Sequence, residues 1–518
     1  MAMISFQNLK NSHAARNAAA SYLAFASSAV CGLVSIPIAV SYLNKTQMGL
    51  WSIVFTIVGY LLWLDLGIGN ATGRKIAAAI LADDQREINR WWTLSIGVLA
   101  LLGGVMFLAS LFLSPFLTGL LNIPSEYTGD TLWLFLGMTA VSAVGMPFRA
   151  YPGLLIAQER FHWVPLVQAL MPWLQLGCFW GLLSLGFGVR SYFPALAFSQ
   201  ATGWVIYVWK VHGKGFRIRI DFSGWTKSRF HELFSYSSSL AVIGIVESVL
   251  QSLPALLLAR LGGLPLVPVY NLTNRGPGML HSVAQRTTYA FFPNLQKLYV
   301  SGKIDLFGDK FRKVNQLGVW VGLIGAGGII AGNRPLVCWL AKLDFYAGGW
   351  TNLWFACWMI TFPFVNGISD LFQLAGKMGK TAGFAMLELP LGVALCWMGF
   401  HFGGMPGIAA AFALLPLLVR APYSLYAGPR FCGFKTWSVC GNAVVALIVG
   451  LSLILIGGAW SASGSEATEA FDILGRTTYL PTFRELAVGI IAIALGSIQA
   501  IRCLLKIRNG VATPLPAL

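Results

Sequence analysis

Residues 18–43 read AAASYLAFASSAVCGLVSIPIAVSYL, 26 consecutive positions without an Asp, Glu, Lys or Arg. A helix crossing the bilayer core needs roughly 20 mostly apolar residues, so this stretch is long enough to span. It is too long for the apolar core of a signal peptide, which runs to roughly 7–15 residues. The residues before it, MAMISFQNLKNSHAARN, are polar and mildly basic. The stretch is therefore read as a first span and not as a removable leader. Comparable runs recur almost to the other end of the chain. Of 518 residues, 56% are hydrophobic and only 11% charged, against about a quarter charged in a soluble domain. A soluble chain this apolar would have too little polar surface to cover its core. The expected class is an all-α polytopic membrane protein.

With Pro, Gly and charge as punctuation, hydropathy marks fourteen spans, at about 18–43, 49–70, 91–120, 131–157, 162–187, 191–210, 234–260, 264–293, 315–341, 350–375, 382–402, 405–427, 437–460 and 484–506. The formal net charge of +17 does not point to a nucleic-acid partner, because the basic residues are spread over short connections. They fit the positive-inside rule instead. With a cytoplasmic N-terminus, 25 of the 36 Lys and Arg fall on the cytoplasmic side, in clusters such as Arg74, Lys75, Arg86 and Arg90. The outer side holds only Lys45, Arg190, Arg260, Arg334, Lys342, Arg476 and Arg484. An error in span number would scramble this alternation downstream, so both termini are expected in the cytoplasm, with the protein multi-pass in the cytoplasmic (inner) membrane. The longest outer connection, 461–483, is polar and mildly acidic, with Glu466, Glu469 and Asp472. No soluble domain is expected on either side, so function must lie in the helical bundle.

Eight cysteines, none in a CxxC pair, lie mostly in apolar runs and read as buried free thiols. No metal, haem or redox motif is visible, and no cofactor is expected. The glycine run GIGNATG, 67–73, lacks the strand context and third-glycine spacing of a dinucleotide loop. It reads as a span end meeting a loop. Three Asn-x-Thr triplets, at Asn44, Asn70 and Asn271, read as chance matches to a glycosylation acceptor.

Two segments half a chain apart share a plan: SIPIAVSYLNKTQMGLWSIVFTIVGYLLWLDLGIGNATGRKIA (35–77) and SLPALLLARLGGLPLVPVYNLTNRGPGMLHSVAQRTTYAFFPNLQKL (252–298). Each has a proline in the outgoing span, a short glycine-containing turn, a returning span and a basic loop. Six spans per half put both copies in one orientation, as in parallel-repeat transporters. These segments resemble the multidrug/oligosaccharidyl-lipid/polysaccharide exporter superfamily, and within it the O-antigen-type polysaccharide flippases. The first is similar to that family's "P…YLG…GLW…DLG…R" opening, the second to its seventh and eighth spans. Pro254 stands where an acidic residue is often found, with Glu247 a few residues earlier. The resemblance implies two six-helix lobes around a central cavity plus two C-terminal helices. The corresponding division is 1–230, 231–430 and 431–518. It also implies export of a polyprenyl-pyrophosphate-linked oligosaccharide from inner to outer leaflet by alternating access.

Charges within spans supply the candidate site, since a charge at the bilayer centre costs about 2.5–3.5 kcal/mol on insertion scales and is expected to face a partner or a cavity. Arg275 lies roughly 17 Å along the eighth span, near the midplane. Arg286, eleven residues on, returns to within roughly 20° of the same face, with Asn271, Ser282, Gln285 and Tyr289 on or near the stripe. Gly276-Pro277-Gly278 is expected to kink or break the helix between the two arginines. Glu247, about 20 Å into the seventh span, matches Arg275 in depth, so the two read either as an ion pair joining helices or as cavity groups. Arg149, between Pro147 and Pro152, and Arg420, before Pro422, are explained equally well by snorkelling and by a cavity role. Asp65 reads as a proton or cation site, or as a partner of Arg74 or Lys75. Asp370 and Glu388 read as structural. Arg275, Arg286, Arg149, Arg420 and Asn271 are thus the candidate substrate-binding residues, and Glu247 and Asp65 the candidate ion-coupling ones.

Four intramembrane arginines favour an anionic substrate, with planar donors suited to pyrophosphate. The expected partners are a lipid-linked anionic oligosaccharide and the lipid bilayer. Protons, sodium or a polysaccharide polymerase partner remain open as the source of directionality. The alternative, a cation-coupled exporter of small drugs or metabolites, fits the superfamily resemblance but not the charge sign. An enzyme is not expected, because no nucleophile–base set and no metal cluster is visible.

Overall fold

The computed structural model describes residues 13–65, 67–158, 160, 162–213, 218–375, 378–434, 436–462, 470–473 and 476–509. Of the residues named or counted above, Lys10, Lys214, Arg217, Lys377, Lys435, Glu466 and Glu469 lie outside these, as do the side chains of Arg16, Asn70, Lys380, Asp472, Arg476 and Arg508. The chain is helical almost throughout. In order, the helices are α1 His13–Tyr42, α2 Lys45–Leu62, α3 Ile68–Leu81, α4 Gln85–Leu120, α5 Thr128–Gly145, α6 Ala150–Ala157, α7 Trp163–Ser184, α8 Tyr192–His212 and α9 Lys227–Gly262. There follow α10 Leu266–Thr273, α11 Arg275–Tyr289, α12 Phe292–Val300, α13 Ile304–Leu340, α14 Gly349–Leu374, α15 Met378–Leu415, α16 Ala421–Phe431, α17 Thr436–Ala462 and α18 Phe483–Asn509. Each of the fourteen expected spans coincides with helix. Among the described residues eleven helical stretches are long and apolar enough to cross a membrane; one of them, Met386–Phe431, holds two spans that meet at a kink at Gly404 (φ 58°, ψ −134°), and the expected spans 191–210 and 264–293 are not among them. The molecule is an all-α polytopic membrane protein.

Three local features depart from the hydropathy reading. The second span ends at Leu62, passes through a 3₁₀ turn Trp63–Asp65, and restarts as α3 in what reads as a loop. The restart is at Gly67, whose φ of 71° is open to glycine at little cost. Gly276-Pro277-Gly278 does not break the helix between the two arginines. The break falls at Asn274, so Pro277 sits in the first turn of α11, where an amide hydrogen has no intrahelical partner anyway. The connection between α17 and α18 contains an antiparallel hairpin, β1 Ala470–Ile473 and β2 Arg476–Tyr479, with Ala470 opposite Tyr479.

The chain forms two compact units, one of residues 1–245 with 263–265, the other of 246–262 with 266–518. In the first, α3, α4 and α6 share a core of Ile68, Ile76, Leu94, Leu99 and Leu154. Here the GIGNATG glycines have a packing role. A side chain on Gly73 would meet Gly153 Cα at 2.9 Å and its carbonyl oxygen at 2.7 Å, so small residues let α3 and α6 touch backbone to backbone. In the second unit α13 is the hub, with 72% of its membrane window buried. The C-terminal helices pack on it, Gly489 of α18 lying against Ala331 and the Gly327 carbonyl.

Candidate functional site

Each unit carries an ion-paired constellation at a helix irregularity. In the second unit α15 ends at Leu415, and the chain widens into a π turn, Pro416–Arg420, before α16. Such turns occur frequently at functional sites. The Arg420 guanidinium forks onto Glu388 of α15, with Nε donating to Oε1 at 2.9 Å and Nη2 to Oε2 at 2.6 Å. Nη1 donates to Asn366 Oδ1 of α14 at 3.2 Å and reaches Glu247 Oε1 of α9 at 3.5 Å. The Arg420 side chain is 11% exposed and that of Glu388 1%, whereas Glu247 is 42% exposed. Arg420 is therefore locked inside the unit and does not snorkel.

Asn366 also lines a cleft with Asp370 one turn on, with His281, Gln285 and Tyr289 of α11, and with Phe362. The His281 ring lies between Trp358, at 4.5 Å, and Phe362, at 4.3 Å. The cleft is thus aromatic at one end and carboxylate-rich at the other. Glu388, Glu247 and Asp370 lie within electrostatic reach of one guanidinium. Three carboxylates around one guanidinium are an arrangement that can hold a proton or a small cation. Sequence reading assigned Glu388 and Asp370 to structure and did not find Asn366. The available signal was an acidic residue in the middle of the apolar run AMLELPLG.

In the first unit Arg149 closes the 3₁₀ turn Met146–Arg149 between α5 and α6. Its Nη1 donates to the Leu62 carbonyl at 3.0 Å, one of the carbonyls left open where α2 ends, and pairs with Asp65. Asp65 Oδ1 in turn accepts from the Gly67 amide at 3.0 Å. One arginine thus stitches two broken helices together. The expected pairing of Asp65 with Arg74 or Lys75 is replaced by this one, and Lys75 instead pairs with Glu232.

Glu247 meets Arg420, not Arg275, its match in depth. Arg275 begins α11 and is exposed, as is Arg286 three turns on, while Asn271 is half-buried in α10. The break between α10 and α11 is held by a buried amide. Asn333 Nδ2 donates to the Thr273 carbonyl at 2.9 Å and to Asn352 Oδ1 at 2.8 Å, and Asn352 Nδ2 donates to the Ile329 carbonyl at 3.1 Å. The structure therefore groups Glu247 with Arg420 and Asp65 with Arg149, and sets Arg275 and Arg286 on one exposed stripe.

The fold is similar to that of solved transporters of the MOP superfamily. No protein-family model matches the sequence, and no curated protein matches it. Among solved structures the chain is similar to the lipid II flippase MurJ in an inward closed conformation, with a TM-score of 0.66 at 12% identity over 93% of this chain and 99% of that one. It is also similar to an inward-facing MATE-family multidrug resistance transporter, with a TM-score of 0.61 at 15% identity over 83% of this chain and 95% of that one. A third similar structure is a MOP-superfamily transporter from Pyrococcus furiosus with a binding pocket described as of reverse polarity, with a TM-score of 0.54 at 15% identity over 88% and 99%. At these identities the likeness is one of fold.

Proposed function

We propose that this protein is a flippase that carries a polyprenyl-pyrophosphate-linked oligosaccharide from the inner to the outer leaflet of the cytoplasmic membrane by alternating access. The observation that carries the reading is the arginine stripe of α11. Arg275 and Arg286 are both exposed on a helix that restarts within a membrane span. A guanidinium suits the oxygens of a pyrophosphate; Asn271 supplies a neutral donor one turn before Arg275, and Arg286 lies about 16 Å further along the same face. The likeness in fold to a flippase of a lipid-linked substrate supports the same reading. In this account Arg149 and Arg420, each tied to a carboxylate, shape the path, and Glu247 and Asp65 couple transport to a cation. A polysaccharide polymerase acting downstream is a natural partner.

A second reading has its own observation. Three carboxylates grouped about Arg420 fit a cation-coupled exporter of small cationic solutes. Reconstitution separates the two. Vesicles containing the purified protein are loaded either with lipid-linked oligosaccharide extracted from the source membrane or with a cationic dye. Movement of the lipid-linked sugar to the opposite leaflet with no dye efflux supports the flippase. Dye efflux driven by an imposed proton or sodium gradient, without sugar translocation, supports the exporter.

A further inference from the structure

Between α8 and α9 the chain does not loop away from the bundle. Residues 218–226 lie along the first turns of α4 and are fixed there by side chains of that helix. Asn89 Oδ1 accepts from the Arg219 amide at 3.0 Å, and Thr93 Oγ1 accepts from the Asp221 amide at 2.9 Å. Arg90 Nε donates to Ser223 Oγ at 2.8 Å, and the Trp225 indole fills the space left by the missing side chain of Gly97. Asn89 to Gly97 is about 12 Å of helix at 1.5 Å per residue, and α4 is itself a membrane-crossing candidate. The segment is thereby held at the level where span meets headgroup. Near it, Lys210 stands over the rings of Trp163 and Trp209 at 3.7 and 3.8 Å, an aromatic–lysine arrangement usual at that level.

So anchored, the segment turns its large apolar groups outward. Ile220 is 76% exposed, Phe222 69% and Trp225 49%. The charges beside them divide into two kinds. Arg90 and Arg229 pair with Glu87, at 3.1 and 2.6 Å, and Arg90 also with Asp221, at 3.5 Å. The exposed Arg219 and Lys227 side chains make no ion pair among the described residues. Exposed apolar groups flanked by unneutralised cations, on a segment tethered to a spanning helix, are complementary to one surface already in contact with that helix.

We propose that residues 218–230 form an interfacial anchor for anionic lipid. Ile220, Phe222 and Trp225 set into the acyl boundary of the leaflet on that side, and Arg219 and Lys227 contact lipid phosphates. The occupant is the bilayer itself, not a protein partner.

Hydrogen exchange of residues 218–226 in the full-length protein tests this, in nanodiscs of phosphatidylcholine alone or mixed with phosphatidylglycerol. Exchange is expected to slow in the anionic discs by about five-fold or more, the scale of one basic residue near a charged surface. R219Q/K227Q is expected to abolish the difference between the two discs, and I220S/F222S to speed exchange in both. Equal exchange of the wild type in both discs, or a difference that survives R219Q/K227Q, overturns the charge recognition. Unchanged exchange in I220S/F222S overturns the insertion. A segment protected only when cell extract is added is a protein-docking surface instead.

Discussion

Arg420 meets Glu388 edge to edge, two nitrogens on two oxygens at 2.9 and 2.6 Å, in a setting where the Glu388 side chain is almost wholly buried. Breaking such a pair from one side leaves a buried charge without its partner, which costs about 3–5 kcal/mol, whereas removing both charges together is often nearly neutral. R420Q is therefore expected to lower the unfolding midpoint in detergent sharply, and E388Q/R420Q to recover most of the loss. A full-stability R420Q would mean that Glu388 is solvated or protonated.

Arg149 performs two tasks with one nitrogen, so its removal and that of Asp65 are not equivalent. R149A leaves the Leu62 carbonyl open and Asp65 unpaired, an expected cost of about 1–3 kcal/mol for each group that stays buried. D65N keeps an oxygen for the Gly67 amide and loses only the charge. Chemical denaturation in micelles is expected to rank wild type above D65N and D65N above R149A.

Gly73 and Gly104 differ in what surrounds them. An alanine at 73 would press on the Gly153 backbone, while an alanine at 104 would meet nothing within 4 Å. G73A is expected to destabilise by about 1–3 kcal/mol through overpacking. G104A is expected to be neutral or to stabilise by up to about 1 kcal/mol, because alanine is the better helix former. Paired thermal unfolding scans check both.

N333L removes the donor that holds the Thr273 carbonyl where α10 stops. The loss is expected to be about 1–3 kcal/mol from the open carbonyl. A larger effect on transport than on stability is also expected, since Arg275 sits two residues beyond. Flip rate and unfolding midpoint measured on the same preparation separate the two effects.

Twelve of the fourteen spans were legible because each needs an apolar run that few other structures require, and the segment 18–43 is one. The other two, 191–210 and 264–293, are helical but are not, among the described residues, long and apolar enough to cross. The break at 63–67 was not legible, because hydropathy does not change there and the change lies in backbone angles, Gly67 above all. Counting residues along each span set Glu247 level with Arg275. Azimuth was not readable, and azimuth decides that Glu247 turns to Arg420. The pairing of Glu388 with Arg420 was missed for a related reason, because the π turn that brings Arg420 onto it leaves no mark in composition. The hairpin at 470–479 is too short and polar to show a period.

The most direct measurement is the sidedness of lipid-linked oligosaccharide in spheroplasts of a strain depleted of this protein, read with an externally added sugar-binding probe. Cells complemented with wild type or with R275A/R286A are compared, after confirming equal membrane levels of both. A flippase working through the α11 stripe traps the sugar inside on depletion, releases it with wild type and keeps it trapped with R275A/R286A. External exposure that is unchanged on depletion, in a strain shown to have no second flippase, contradicts lipid-linked sugar export by this chain.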